Sequence, residues 1–213
     1  MVGVALGHSF TLAVTDAGEV FSFGSSWFGA LGHGGLSVSE VLPRRIEAQA
    51  ETGRQFVAFP AGQHSLALTE EGLFYGWGDG RTNGHGQEQR TPRQVAALAD
   101  VRVSLVYAQG HSSCAATQKG RLYTWGQGYS NSFNLGHGVA ASQPTPKRVE
   151  ALSGVQVAAA AIFGTHTLVA GEDGAVWAFG QRAVLGLGEA DAPPGDNVVL
   201  PTPIPNIRVR TLP

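Results

Sequence analysis

Cysteine, methionine and charge are what this chain of 213 residues has least of. A single thiol, Cys114, excludes an intramolecular disulfide and a cysteine-based metal cluster. It fits a reducing compartment. Charged residues make up 14% of the chain and the formal net charge is −2, so no bulk attraction to nucleic acid is implied and nucleic acid is not an expected partner. No run approaches the roughly 18 apolar residues of a membrane span, so no membrane partner is expected either. Residues 1–6 are apolar but short and lack a basic flank, which makes a poor signal peptide. A cytoplasmic or nuclear location is the expectation. Long 3.6-residue periodicity is also missing, because glycine and proline interrupt too often for helices.

Glycine is abundant, with 30 in all, and it recurs in register. Residues 62–78 read G-Q-H-S-L-A-L-T-E-E-G-L-F-Y-G-W-G. Near-copies occupy residues 110–126 and 164–180, and a divergent copy occupies residues 8–24. The second glycine of each unit is Gly18, Gly72, Gly120 or Gly174, at intervals of 54, 48 and 54 residues. Another glycine follows six residues later in each unit. Between these glycines, aromatic residues take the third and fifth places: Phe21 and Phe23, Tyr75 and Trp77, Tyr123 and Trp125, Trp177 and Phe179. The place between them is small: Ser22, Gly76, Thr124 or Ala178.

Large and small side chains that alternate with period two mean a strand, since successive side chains point to opposite faces. A second strand lies just upstream, joined by a polar pair ending in glycine, such as Glu70-Glu71-Gly72. Glycine there supplies the positive φ that tight hairpins need. Each unit continues into a glycine-rich loop such as Leu135-Gly136-His137-Gly138, then a proline and a short apolar segment. That makes about four short strands per unit of roughly 50 residues, the signature of a propeller blade. The predicted fold is all-β, a β-propeller type built from four blade-like repeats and partial or open. The chain reads as a single repeat domain over 1–213, with approximate repeats 1–53, 54–101, 102–155 and 156–213.

These motifs resemble the regulator of chromosome condensation repeats, whose pattern is Gly-x-x-His-Ser/Thr, a hairpin turn, Gly-x-Val-Tyr-x-Trp-Gly and a following Leu-Gly-x-Gly. Gly62-Gln63-His64-Ser65 and Gly164-Thr165-His166-Thr167 match closely, while Phe10 and Ser112 stand at the histidine place. The resemblance covers nearly the whole chain and implies a β-propeller. Family propellers generally close with about seven blades, and four repeats fall short of that count. The favoured reading is an excised piece of a longer propeller. A small closed ring, or an open arc that pairs with another copy through exposed blade faces, are the alternatives. A plant photoreceptor of this family uses a repeated Gly-Trp-Arg-His-Thr motif that is absent here. Trp77, Trp125 and Trp177 occupy aromatic packing positions instead.

Catalytic and metal-binding patterns are weak, and no cofactor is implied. His33, His85 and His137 share one repeat position, but Leu187 fills it in the fourth unit, which argues for packing rather than a zinc site. His64 and His166 are read as hydrogen-bonding to backbone between blades. Cys114 is in register with Leu66 and Leu168, as a small core residue would be. Glu70-Glu71 and Glu172-Asp173 are acids at hairpin turns.

Charge gives the pattern worth following. Basic residues recur after the repeat proline: Arg44 and Arg45, Arg93, Lys147 and Arg148. Acids recur at the hairpin turns, and the expectation is one basic and one acidic rim. A basic rim would bind an acidic protein surface or phosphate groups. Two longer loops are further recognition candidates: residues 127–134, with Tyr129 and Phe133, and residues 189–200. The expected function is non-enzymatic, a protein–protein interaction platform within a larger protein. The resemblance also implies an alternative, guanine-nucleotide exchange on a Ran-like small GTPase, and a purely structural segment is a third reading.

Overall fold

The computed structural model describes residues 3–25, 27–35, 39–50, 56–58, 62–127, 133–188 and 195–210. Four antiparallel sheets of four strands follow one another along the chain, each strand pairing with its sequence neighbours. The first blade holds β1 (Gly3–Leu6), β2 (Phe10–Val14), β3 (Val20–Ser25) and β4 (Ser39–Arg45). The second holds β5 (Phe56–Ala58), β6 (His64–Thr69), β7 (Phe74–Gly78) and β8 (Gln89–Gln94). β9 (Val103–Gln109), β10 (Ser112–Thr117), β11 (Leu122–Gly126) and β12 (Gln143–Arg148) make the third. β13 (Val157–Phe163), β14 (His166–Gly171), β15 (Ala175–Gln181) and β16 (Asn197–Arg208) make the fourth. The fold is all-β, with four blades in an open arc. Contacts run between successive blades, and among the described residues none of comparable extent joins blade 4 back to blade 1.

The glycine repeat explains the central hairpins. Gly18, Gly72, Gly120 and Gly174 have φ between +66° and +82°, the left-handed region that the turn requires. A threonine locks three of these turns. The Oγ1 of Thr15, Thr69 and Thr117 accepts the backbone N–H four residues on, at 3.2 Å in each case. The repeat prolines fall in β4, β8 and β12, which are edge strands, where a missing N–H breaks no ladder. First strands approach one another, as β9 and β13 do, so they form the inner side of the arc and the proline strands the outer side.

Each blade has a leading face, which packs on the blade before it, and a trailing face, which receives the next. Cross-strand pairs assign the residues. Ser65 lies opposite Trp77 and Ala67 opposite Tyr75 on the leading face of blade 2, while Leu66 lies opposite Gly76 on its trailing face. The cores sit between blades. One joins Leu12, Val20, Leu31 and Ile46 to Ala67, Tyr75 and Trp77. A second joins Leu66, Phe74, Val95 and Leu98 to Ala115 and Trp125, and a third joins Cys114, Leu122, Leu135 and Val149 to Ile162, Val169 and Phe179.

Polar bonds fix each joint. The Trp77 indole N–H and the Ser65 hydroxyl both donate to Ala30 O, at 2.8 Å each. Trp125 Nε1 donates to Thr82 O at 2.8 Å, and Thr167 Oγ1 to Asn134 O at 2.7 Å. Ala30, Thr82 and Asn134 hold the same place, just before the Leu/Asn-Gly of the long loop. A buried indole or hydroxyl needs such a partner, and the loop carbonyl of the preceding blade supplies it.

Candidate interaction faces

The basic residues keep their register but not their expected rim. Arg44 pairs with Ser22, Arg93 with Gly76 and Lys147 with Thr124, so the three are equivalent on the outer strands. Arg45 and Arg148 follow, opposite Phe21 and Tyr123. The outer strand runs antiparallel to the one before it, so its end returns to the hairpin turn. Acids and bases therefore share one end of the blades. Arg45 Nη1 meets Glu19 Oε1 at 2.8 Å and Arg45 Nη2 meets Glu47 Oε2 at 2.8 Å. Arg44 pairs with Glu40 at 2.8 Å and Arg148 with Glu150 at 3.6 Å. The hydrogen bonds that Arg45 donates to Glu47 and then to Glu19 raise its pKa. Separate basic and acidic rims are thus not formed. Among the described residues, Arg93 and Lys147 have no carboxylate partner. Tyr129 lies outside the described residues, and Phe133 is half-buried.

At the opposite end, where the long loops emerge, the structure brings together a group that the repeat pattern did not single out. Trp27 and Phe28 follow β3. Trp27 is 74% exposed and Phe28 is 44% exposed. Phe28 has φ +62°, a conformation that bulky residues rarely adopt. The Arg81 guanidinium sits 5.6 Å from the centroid of the Phe28 ring, within cation–π range. Asp79, nearly buried, holds Arg81 in turn through Nη2–Oδ2 at 2.6 Å. Burial pushes the Asp79 carboxyl up, but hydrogen bonds from Arg81 outweigh it and hold the pKa below the usual carboxylate value. Beside the two rings lies a cleft of about 240 Å³, lined by His8, Ser9, Ser25 and Gln63 among others. Trp27 is the one tryptophan outside the aromatic repeat places, and that displacement is the sequence signal that would have found it.

The profile of the Regulator of chromosome condensation (RCC1) repeat matches residues 17–68 and 119–170. The RCC1 domain-containing protein RUG3, mitochondrial, of Arabidopsis thaliana is 35% identical over 196 residues, which cover 86% of this chain and 43% of RUG3. The chain belongs to the RCC1 repeat family. It spans less than half the length of RUG3. The structure of human WBSCR16 superposes with a TM-score of 0.78 at 21% identity, covering 96% of this chain and 53% of that one. Prp20p from Saccharomyces cerevisiae superposes with a TM-score of 0.55 at 19% identity, covering 96% and 65%. Both are likenesses of fold. Each matched RCC1 repeat starts in a hairpin turn and ends in the second strand of the next blade. One sequence repeat therefore encodes the joint between two blades.

Within the RCC1 repeats, the histidines serve those joints and loops. His33 Nε2 lies 2.8 Å from Ser22 Oγ, His137 Nε2 lies 3.0 Å from Thr124 Oγ1, and His85 Nε2 lies 3.1 Å from Gly76 O. Each ties the glycine loop to the small residue between the strand aromatics. Burial lowers the pKa of all three. His64 is fully buried, with Nε2 2.6 Å from Ser113 Oγ of blade 3, and burial lowers its pKa to about 3. The partner is a side chain of the next blade rather than the backbone group expected. Among the described residues, no cluster of His, Cys, Asp and Glu is arranged to hold a metal ion. Burial pushes the Cys114 thiol up to about 12. No helix of the described residues is long and apolar enough to cross a membrane.

Proposed function

We propose that this RCC1-repeat chain is a non-catalytic platform that binds a protein partner at its loop end, around Trp27, Phe28 and Arg81. The carrying observation is the pair Trp27 and Phe28, one largely exposed and the other set at positive φ under a guanidinium. Tryptophan and arginine dominate the energetics of protein interfaces, and an unfavourable backbone conformation persists only where its surroundings hold it. The outer-strand cations at the other end of the blades, Arg93 and Lys147 ahead of the ion-paired Arg44, Arg45 and Arg148, are secondary contact candidates, as are Tyr129 and Phe133. A photo-cross-linking residue placed at position 27 identifies the partner. Trp27→Ala then weakens that partner by roughly 30-fold, as loss of about 2 kcal/mol at an interface anchor implies. Charge reversal of Arg44 and Lys147 weakens it less. Equal affinity for the wild type and Trp27→Ala would sink the reading.

A second reading comes from Prp20p, whose structure is described together with its binding to Gsp1p and histones. That reading is nucleotide exchange on a small GTPase, and what supports it is likeness of fold alone. Release of fluorescent GDP from a panel of small GTPases separates the two. Acceleration of one of them establishes exchange, and its absence with a folded sample leaves the platform. The cytoplasmic or nuclear expectation is examined by fractionation, with mitochondria included because RUG3 is named as mitochondrial.

A further inference from the structure

The hairpin end of blade 3 departs from the repeat. In the other blades the turn carries acids: Asp16 and Glu19, Glu70 and Glu71, Glu172 and Asp173. Blade 3 has Gln118-Lys119-Gly120-Arg121 instead. Arg121 takes the place of Glu19, two residues before the strand aromatic that lies opposite the outer-strand arginine: Phe21 opposite Arg45, Tyr123 opposite Arg148. On blade 1 that arginine is neutralised from two sides, by Glu19 and by Glu47, at 2.8 Å each. On blade 3 only the second carboxylate remains, as Glu150, 3.6 Å from Arg148. Both side chains of that pair are accessible, and such surface pairs contribute little.

Lys119, Arg121 and Arg148 line one groove of about 620 Å³, between the turn of blade 3 and the start of blade 4. Lys119 and Arg121 are exposed, and among the described residues neither has a carboxylate partner. Gln118, Ser153 and Gln156 add neutral donors, and Glu172 is the one acid among the described lining residues. Cations gathered around a shared space repel one another, and an anion that enters removes that cost. The groove belongs to a joint between two blades of this chain, so both of its walls are present. Its surroundings limit which anion fits. The acidic turns of blades 2 and 4 bracket it, so positive charge is confined to one joint. A nucleic-acid strand, or a run of Asp and Glu, spreads its charges along a chain and would meet those acids. A phosphoryl group on one side chain concentrates a charge of about −1.5 to −2 on three oxygens. Arginine forks match those oxygens two at a time.

We infer that this groove binds a phosphorylated serine or threonine of a protein partner, with Arg121 and Arg148 on the phosphoryl oxygens and Lys119 at the rim. Arg148 gives up its long contact with Glu150 to do so. The groove is at the hairpin end and Trp27 at the loop end, so this inference and the loop-end platform fail or hold separately.

Degenerate peptide libraries centred on phosphoserine or phosphothreonine test it, with the unphosphorylated libraries in parallel. Phosphorylated sequences are expected to be selected, and the best of them to bind in fluorescence anisotropy with an affinity that falls as salt rises. Arg121→Glu restores the carboxylate that blade 1 has at Glu19 and should weaken that peptide by roughly 10-fold or more. Lys119→Glu should act in the same direction, and Arg121→Gln, which adds no opposing charge, should show a smaller loss. Both side chains are exposed, and an unchanged near-ultraviolet circular dichroism spectrum confirms that each variant is folded. Equal selection from phosphorylated and unphosphorylated libraries overturns the inference, as does a selected phosphopeptide indifferent to all three substitutions. Binding of inorganic phosphate with no peptide sequence selected reduces the groove to a general anion patch and overturns it too. So does a DNA oligonucleotide that displaces the peptide and binds more tightly at the same residues.

Discussion

Blades 2 and 3 differ from blades 1 and 4 in burial, although all four follow one sequence pattern. In β6 and β10 every residue is buried, whereas in β2 and β14 buried positions alternate with more accessible ones. The residues themselves differ little: His64 and His166, or Leu66 and Leu168, are identical pairs in identical register. A neighbour on each side, rather than intrinsic strand propensity, is what buries them. That is the behaviour of a repeat protein, where stability resides in nearest-neighbour interfaces.

The comparison breaks or sharpens under matched substitutions. The largest expected difference is between Trp77→Ala and Trp27→Ala. Removing the buried indole leaves a cavity and costs about 3–5 kcal/mol, although the Ser65 hydroxyl still donates to Ala30 O. Removing the exposed one stays within about 0.5 kcal/mol. Urea unfolding followed by circular dichroism measures both. Leu66→Ala against Leu168→Ala is next, at about 2–5 kcal/mol against about 1 kcal/mol or less.

Histidine gives a pH version of the same contrast. Burial holds His64 neutral down to about 3, while an unfolded histidine titrates near 6.5. The unfolded state takes up its proton first. Stability therefore falls as pH drops from about 6.5 towards about 3, by up to about 1.4 kcal/mol per pH unit for this group. His33, His85, His111 and His137, also lowered by burial, act in the same direction. His64→Gln should flatten that limb, and an unchanged slope would contradict the assignment. The smallest effect is chemical. Cys114, buried with its thiol pushed up to about 12, should resist thiol reagents at neutral pH until the blade 3–blade 4 joint opens.

The hairpins, the aromatic alternation and the blade count were legible because glycine and ring positions recur at fixed offsets. The charged rims were not. Assigning Arg45 to an end of the blade requires counting both β3 and the return of β4, and only the pairing of Phe21 with Arg45 fixes that return. The sequence also marked His64 as a joint residue but could not name Ser113, which lies 49 residues on. Trp27 escaped for the opposite reason: it has no counterpart among the repeats, and a search for periodicity passes over what occurs once.

The indole bond from Trp77 to Ala30, and its repetition from Trp125 to Thr82, run backwards along the chain. During synthesis the acceptor carbonyl always leaves the ribosome before its donor. At about 5–20 residues per second, a unit of roughly 50 residues takes on the order of 3–10 seconds to emerge. For that interval the newest blade waits with one apolar side open, and its successor arrives as the cover. Translation speed thus sets how long a nascent chain presents such a surface to chaperones, and slow codons just before an indole would lengthen the exposure.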